Sequence, residues 1–318
     1  MDGPPSGLLD RRLLFVTGKG GVGKTTIAAA IATLAAQQGK RTLICEVDPK
    51  GDLADFLGAP DLRFAATEVS RNLWAMSMDT EESLKEYLHL QLRVPLAARL
   101  GPLARTFDFV ATAAPGVKEI LTVGKFAWEV KEEHYDLVVV DAPATGHVVG
   151  QLASPVAISE LVRVGVIRQQ TQWMIELLTD PAVTGVVVVS TPEEMPVNET
   201  LELIGRLQGE TTIDVAAVIA NRVLPELFGD SEEKTFERLC GPEGRATLTD
   251  LLGPGVLAVL ESARMAVSLR RSRAHHLTRL RTELPAEVPL LFVPYLFTKS
   301  HAVRTTRQVA ELIDQEIS

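Results

Sequence analysis

A chain of 318 residues with 46% hydrophobic and 23% charged residues holds enough apolar material for a large core, which excludes wholesale disorder. Its net charge of −9 makes nucleic acid and anionic lipid poor default partners, because an acidic chain repels phosphate unless it gathers basic residues on one face. Cys45 and Cys240 stand far apart without CxxC spacing, which excludes a disulfide framework or a thiolate zinc site and makes a reducing cytoplasm the expected setting.

The first residues lack a basic segment ahead of an apolar run, so no secretory leader is expected, and no window approaches the roughly 18 apolar residues of a membrane span. Short aliphatic runs alternate with longer helical patterns. Strands are predicted over 12–17, 41–47, 72–78, 136–141, 185–190, 214–221 and 289–293. Val138 to Val140 and Val186 to Val189 are apolar at consecutive positions, as in parallel strands covered by helices on both faces. The expected fold is α/β, a doubly wound, mostly parallel sheet of about seven strands within one body spanning 1–318.

The first helix is predicted from about Gly23 to Gln38, with Gly39 as its stop. Helical pieces without strand signal follow at about 79–133, opened by Asp79 with Glu82, and at about 155–180. Val117, Ile120, Leu121, Gly124, Ala127 and Trp128 share one helical face, as do Leu161, Val162, Trp173, Met174 and Leu177 on the second piece. Such stripes pack on the core or line a groove for a hydrophobic client. Residues 225–256 read as a surface excursion leading into a helix over about 255–283. The arginines from Arg264 to Arg281 read as a solvated face or a contact with an acidic surface.

The chemistry concentrates in GKGGVGKT, from Gly18 to Thr25, which follows a strand and opens a helix as a phosphate-binding loop must. Gly18, Gly20, Gly21 and Gly23 let backbone N–H groups face phosphate, Val22 lies within the same cradle, and the helix N-terminus adds a favourable dipole. Lys24 is placed to reach the β and γ phosphates of ATP, Thr25 to ligate Mg²⁺, and Thr26 to bond the α-phosphate. Asp141 ends an apolar strand where a carboxylate can hold Mg²⁺. Asp48 ends another and is a candidate both for the metal site, with Thr25 and Asp141, and for positioning or polarising the attacking water. Asp52 and Asp55 read as helix-starting carboxylates. Asn221 closes a strand with an amide that can match an adenine edge.

The second lysine, Lys19, makes KGGVGKT a deviant Walker A motif. With DAPATGH from Asp141 to His147, VIANRVLP and VPYLFTKSHAV, the sequence resembles the ArsA and tail-anchored-protein-targeting ATPases, whose broader relatives include MinD and ParA. The resemblance implies a nucleotide-gated dimer, either of identical chains or with a related ATPase, in which Lys19 serves the partner's nucleotide while Lys24 serves its own. It also implies that the segment holding Pro294 borders adenine. ATP/ADP and Mg²⁺ are the implied cofactors, a hydrophobic or membrane-protein client the implied cargo, and no nucleic acid is expected.

Departures bear on the details. The family's DPAHN is DPKGD here, from Asp48 to Asp52, and both the arsenite-sensing cysteine triad and the zinc CxxC are missing. His147 without thiolates is a poor metalloid site, so an arsenite-efflux role is disfavoured. Six methionines are few for an adaptable client groove. An ATP-gated scaffold or hetero-complex subunit is the alternative from another class. A MinD- or ParA-like positioning role fits less well, because the C-terminal helix carries Glu311, Asp314 and Glu316 instead of a basic membrane anchor.

Overall fold

Valine, leucine and isoleucine runs with few polar interruptions build the centre of one eight-stranded sheet. The computed structural model describes residues 7–48, 52–90, 116–161, 166–226, 228–297 and 302–318. The strands are β1 (Leu13–Gly18), β2 (Thr42–Glu46), β3 (Thr67–Ser70), β4 (Leu73–Ser77), β5 (Leu137–Asp141), β6 (Thr184–Ser190), β7 (Val215–Val223) and β8 (Leu290–Pro294). Their order is β3-β4-β2-β5-β1-β6-β7-β8, and every pairing is parallel except β3 with β4. The seven predicted strands all appear within a few residues of their expected bounds. β3 is the addition: TEVS is short, polar at three of its four positions and mostly exposed, so it lacks the apolar run by which the others are recognised.

Alternation along the central strands feeds two cores. Leu14 and Val16 of β1, with Val139, Val187 and Val189, face α1 (Lys24–Gln37) and α11 (Ala302–Ile317). Leu13 and Phe15, with Val138, Val140, Val186 and Val188, face α4 (Val117–Lys131), α5 (Thr145–Leu161) and α7 (Glu194–Glu210). The alanines of α1 are buried almost all round, which lets that helix lie close to the sheet. Gly39 ends it in a left-handed conformation, its N–H bonded to the Ala36 carbonyl at 3.0 Å. On the opposite face Phe126 meets Phe15 edge-on at 6.4 Å between centroids, each ring burying an area worth about 1.5–3 kcal/mol.

The predicted helical pieces are present with altered bounds. α2 is Asp52–Leu57 and α3 is Thr80–Leu90; Asp79 caps α3 by accepting the Glu82 N–H at 2.9 Å. Residues 91–115 of the first helical stretch, and Val162 in the second, lie outside the described residues. The helical piece expected at about 155–180 is instead α5 followed by α6 (Val166–Thr179). α5 begins within the DAPATG segment, at Thr145, and contains Gly146, Gly150 and Pro155, whose low helix propensity hides it in sequence; burial of Val148, Val149 and Leu152 outweighs that cost. Leu121, Ala127 and Met174 of the two apolar stripes are buried against neighbouring helices.

The supposed excursion at 225–256 contains two helices, α8 (Asp230–Cys240) and α9 (Pro242–Leu252), before α10 (Val256–Glu283). Glu232 accepts the Gly229 N–H to start α8, and Pro242 occupies the first turn of α9. The arginines of α10 find acidic partners on the chain itself: Arg271 pairs with Glu233 and Glu237, Arg273 with Glu193, and Arg279 with Glu283.

Candidate functional site

The parallel sheet directs the C-terminal ends of β1, β2, β5, β6 and β7 to one edge, and the strand order reverses around β1, the position where such sheets bind ligands. There β1 ends at Gly18 and the chain loops through Lys19 to Gly23 before α1 starts at Lys24. Gly18 has φ of 147°, and a Cβ on it would lie 2.1 Å from the Val189 carbonyl of β6. Gly23, left-handed at φ 97°, caps α1 and accepts the Ile27 N–H at 3.1 Å. Lys24 Nζ folds back to within 3.4 Å of the Lys19 carbonyl, so the lysine arches over the loop. Val22 is buried and Thr26 is half-buried in the first turn of α1.

The carboxylates arrive by register. Glu46 at the end of β2 is the lateral partner of Asp141 at the end of β5. Asp141 Oδ2 accepts the Thr25 hydroxyl at 2.7 Å, whereas its Oδ1 is buried with no hydrogen-bond partner. Desolvation raises the Asp141 carboxyl to about 6, against the lowering by the Thr25 hydrogen bond and the Lys24 charge. Glu46 is buried as well, and desolvation raises its pKa despite hydrogen bonds from Ser77 and the Leu53 backbone. Asp48 is exposed beyond β2, and with Asp52 it adds a negative field at Glu46. The rest of the first switch, 49–51, lies outside the described residues.

An unpaired buried carboxylate oxygen beside a threonine hydroxyl and a phosphate loop is a donor set of hard oxygens, which suits Mg²⁺. Thr25 and Asp141 would hold that ion. Asp48 stands outside this hydrogen-bonded pair, at the exposed end of the β2 loop.

Lys19 is held within its own chain. Its ammonium forms an ion pair with Glu199 of α7, and the second oxygen of Glu199 accepts the Thr145 hydroxyl at 3.3 Å. Both charged side chains remain about 30% exposed, at 30% and 29%. His147 is exposed in the first turn of α5.

At the other side of the loop Asn221 is buried, donating Nδ2 to the Val22 carbonyl at 2.8 Å and accepting the Arg222 N–H on Oδ1 at 2.9 Å. Its amide thus engages the loop backbone with one Nδ2 hydrogen and one Oδ1 lone pair. Arg222 NH1 donates to the Gly21 carbonyl at 3.1 Å. Pro294 ends β8 opposite Val223, next to this corner.

Sequence reasoning did not single out Glu46, Glu199, Thr145 or Arg222. Glu46 and Thr145 were within reach, being two residues before Asp48 and four after Asp141 at strand ends that point to the same edge. Arg222 directly follows Asn221 in VIANRVLP and was within reach too, whereas Glu199 carries no local signal, since its partner lies 180 residues away.

A family model described as anion-transporting ATPase matches residues 11–175 and 163–239. ATPase BagA of Mycobacterium tuberculosis is 35% identical over 234 residues, 70% of this chain and 68% of that protein. An "ATPase ASNA1 homolog" of Cryptosporidium parvum is 29% identical over 236 residues, covering 72% and 57%, and one of Entamoeba dispar is 25% identical over 253 residues, covering 67% and 76%. Among the described residues no helix is long and apolar enough to cross a membrane.

Proposed function

The chain belongs to the anion-transporting ATPase family, and on that premise we propose that it works as a dimeric, Mg²⁺-dependent ATPase whose nucleotide state opens and closes a surface for a client or partner. The observation that carries the reading is the buried, unpaired Asp141 Oδ1 beside the Thr25 hydroxyl at the mouth of the loop. Ionising a carboxylate that is largely buried is costly, the Lys24 charge offsets only part of that cost, and a divalent cation held by Thr25 and Asp141 would supply the remaining counter-charge.

In this mechanism the loop N–H groups and the α1 N-terminus bind the phosphates, and Lys24 neutralises charge on the β and γ groups. Thr25 and Asp141 would hold Mg²⁺, which would supply further neutralisation of the phosphoryl oxygens. Asp48 orients the attacking water from the end of the β2 loop. Lys19 crosses to the nucleotide of a second subunit, where a cation at the phosphoryl oxygens accelerates transfer by about 10³- to 10⁵-fold, by analogy with arginine fingers.

That last step requires Lys19 to leave Glu199. An ion pair this exposed is worth about 1 kcal/mol or less, so exchanging it for a phosphate in a closed, drier interface is favourable. Hydrolysis then depends on association, which couples chemistry to quaternary state.

The test is the chain with Asp48→Asn, assayed for ATP turnover and for mass in solution with and without ATP. Retained ATP, slowed turnover and a persistent dimer support the mechanism; full activity removes Asp48 from it. Single-turnover cleavage that appears only after a related subunit is added assigns the chain to a hetero-complex instead.

A further inference from the structure

On the reading of Asp48 as the group that orients the attacking water, we propose that Glu46 and Thr306 are its positioning residues: they fix the two ends of the short helix α2, and α2 anchors the far side of the loop that carries Asp48.

The Asp48 loop leaves the sheet at the end of β2. Side chains alternate along a strand, so Glu46 shares the face of Ile44, and Asp141 beside it shares the face of Val139. Ile44 and Val139 belong to the core that also contains Leu53 of α2. Just past Glu46 the Val47 N–H donates to the Asp141 carbonyl at 3.2 Å, which fixes the near side of the loop. The far side is α2, which starts at Asp52. A helix of 6 residues is too short to hold itself, so its place depends on what meets its ends and on the burial of Leu53 and Ala54.

At its start the Leu53 N–H is one of the first-turn donors that no helix carbonyl reaches. The buried Glu46 carboxylate accepts it, together with the Ser77 hydroxyl. At the other end the donor that would serve the Phe56 carbonyl in a longer helix belongs to Pro60, which has no N–H. Thr306 of α11, 2% exposed, replaces it by donating its hydroxyl to the Phe56 carbonyl at 2.8 Å. The same hydroxyl lies 3.0 Å from the Ala302 carbonyl, four residues back in α11, an oxygen that the helix's own N–H can satisfy. One turn before Thr306, Val303 presses on Gly58, where a Cβ would meet it at 2.9 Å. Thus α2 is seated on β2 at one end and on α11 at the other.

Only 49–51 separate Asp48 from α2, so a shift of the helix passes along a short link to the carboxylate. Placement of a reacting group is demanding, since an error of about 1 Å can cost about 10²-fold in rate. Neither seat requires more than a hydrogen bond: an amide oxygen at 46 can accept the Leu53 N–H, and a serine at 306 can donate to Phe56.

The experiment compares the full chain with Glu46→Ala, Glu46→Gln, Thr306→Val and Thr306→Ser, each also combined with Asp48→Asn. It reads ATP turnover, MgADP affinity and hydrogen exchange of the 52–57 amides. Thr306→Val is nearly isosteric and keeps the comparison intact if Glu46→Ala does not fold. Glu46→Ala and Thr306→Val are expected to lower kcat by about three- to thirtyfold with affinity within about twofold, and to speed exchange in α2 by about tenfold or more. Glu46→Gln and Thr306→Ser should stay within about twofold of wild type. On Asp48→Asn the same substitutions should change kcat by less than about twofold, because the group they position is already gone.

Faster exchange in α2 with kcat unchanged would overturn the proposal, as would a full further loss of kcat on Asp48→Asn. Glu46→Gln as damaging as Glu46→Ala would also overturn it, by assigning Glu46 a role that needs its charge. Full turnover in Asp48→Asn alone would instead remove the underlying reading of Asp48, a separate failure.

Discussion

The Thr25 hydroxyl donates to Asp141 Oδ2 at 2.7 Å, and this one hydrogen bond leaves the other oxygen of the same buried carboxylate without a partner. One oxygen of the group is hydrogen-bonded within the protein and the other is not. The pH behaviour of the site follows from that division.

Burial raises the Asp141 carboxyl from 3.8 to about 6. Between those values the folded, metal-free chain keeps a proton that the unfolded chain has released, so stability falls as the pH rises through the window and levels off above it. The total decline from this group is on the order of 3 kcal/mol. Asp141→Asn stays neutral and lacks the decline. Urea unfolding in EDTA should show the variant matching the wild type near pH 4 and exceeding it at pH 7.5; parallel pH profiles would mean that Asp141 is not the source.

In the proposed mechanism magnesium would reverse the preference, since it would bind the carboxylate and compete with the proton. Affinity for MgADP should fall as the pH drops below about 6, the folded value of Asp141, and titration calorimetry at two pH values reads the difference. The Asp141→Asn protein should bind the complex more weakly and with little pH dependence over that range. EDTA should abolish turnover in the wild type.

Lys19→Ala is expected to reduce turnover by about 10³-fold or more while changing nucleotide affinity by less than tenfold, because the proposed mechanism places its charge at the transition state of a second subunit. Stability should barely change. A double-mutant cycle of Lys19→Ala with Glu199→Ala, followed by chemical denaturation, should give a coupling below about 1 kcal/mol, as for other solvent-exposed pairs. Turnover equal to wild type in Lys19→Ala would end the in-trans role.

Gly18→Ala and Gly20→Ala should separate packing from binding. At Gly18 the added Cβ would strike the Val189 carbonyl at 2.1 Å in a positive-φ conformation, and unfolding free energy should drop by roughly 3 kcal/mol or more. A Cβ on Gly20 would have nothing within 4 Å, so that variant should unfold within about 0.5 kcal/mol of wild type while binding nucleotide less well. Denaturant midpoints and nucleotide titrations check both.

Much of the sheet was legible because parallel strands buried on both faces must be written as runs such as VVVV, which no exposed element needs. β3 was not, since an exposed antiparallel edge tolerates the polar sequence TEVS. α5 was obscured by Gly146, Gly150 and Pro155, whose local preference is overruled by tertiary burial of the residues between them. In the site, Thr25 with Asp141 could be anticipated because each sits at a strand or helix end of known direction. Asn221 was visible as a strand-end amide, but its contact with the Val22 carbonyl depends on a bulge that no spacing announces.

The glycines of the loop divide by what each one answers to. Gly18 is dictated by the neighbouring strand and Gly21, at φ 86°, by the path of the backbone, whereas Gly20 has open space around it. A descendant of this protein that abandoned ATP would still have to keep Gly18 to keep its sheet, yet it could let Gly20 drift. The motif thus superposes two histories, one of folding and one of ligand, and the residue at position 20 is where they come apart.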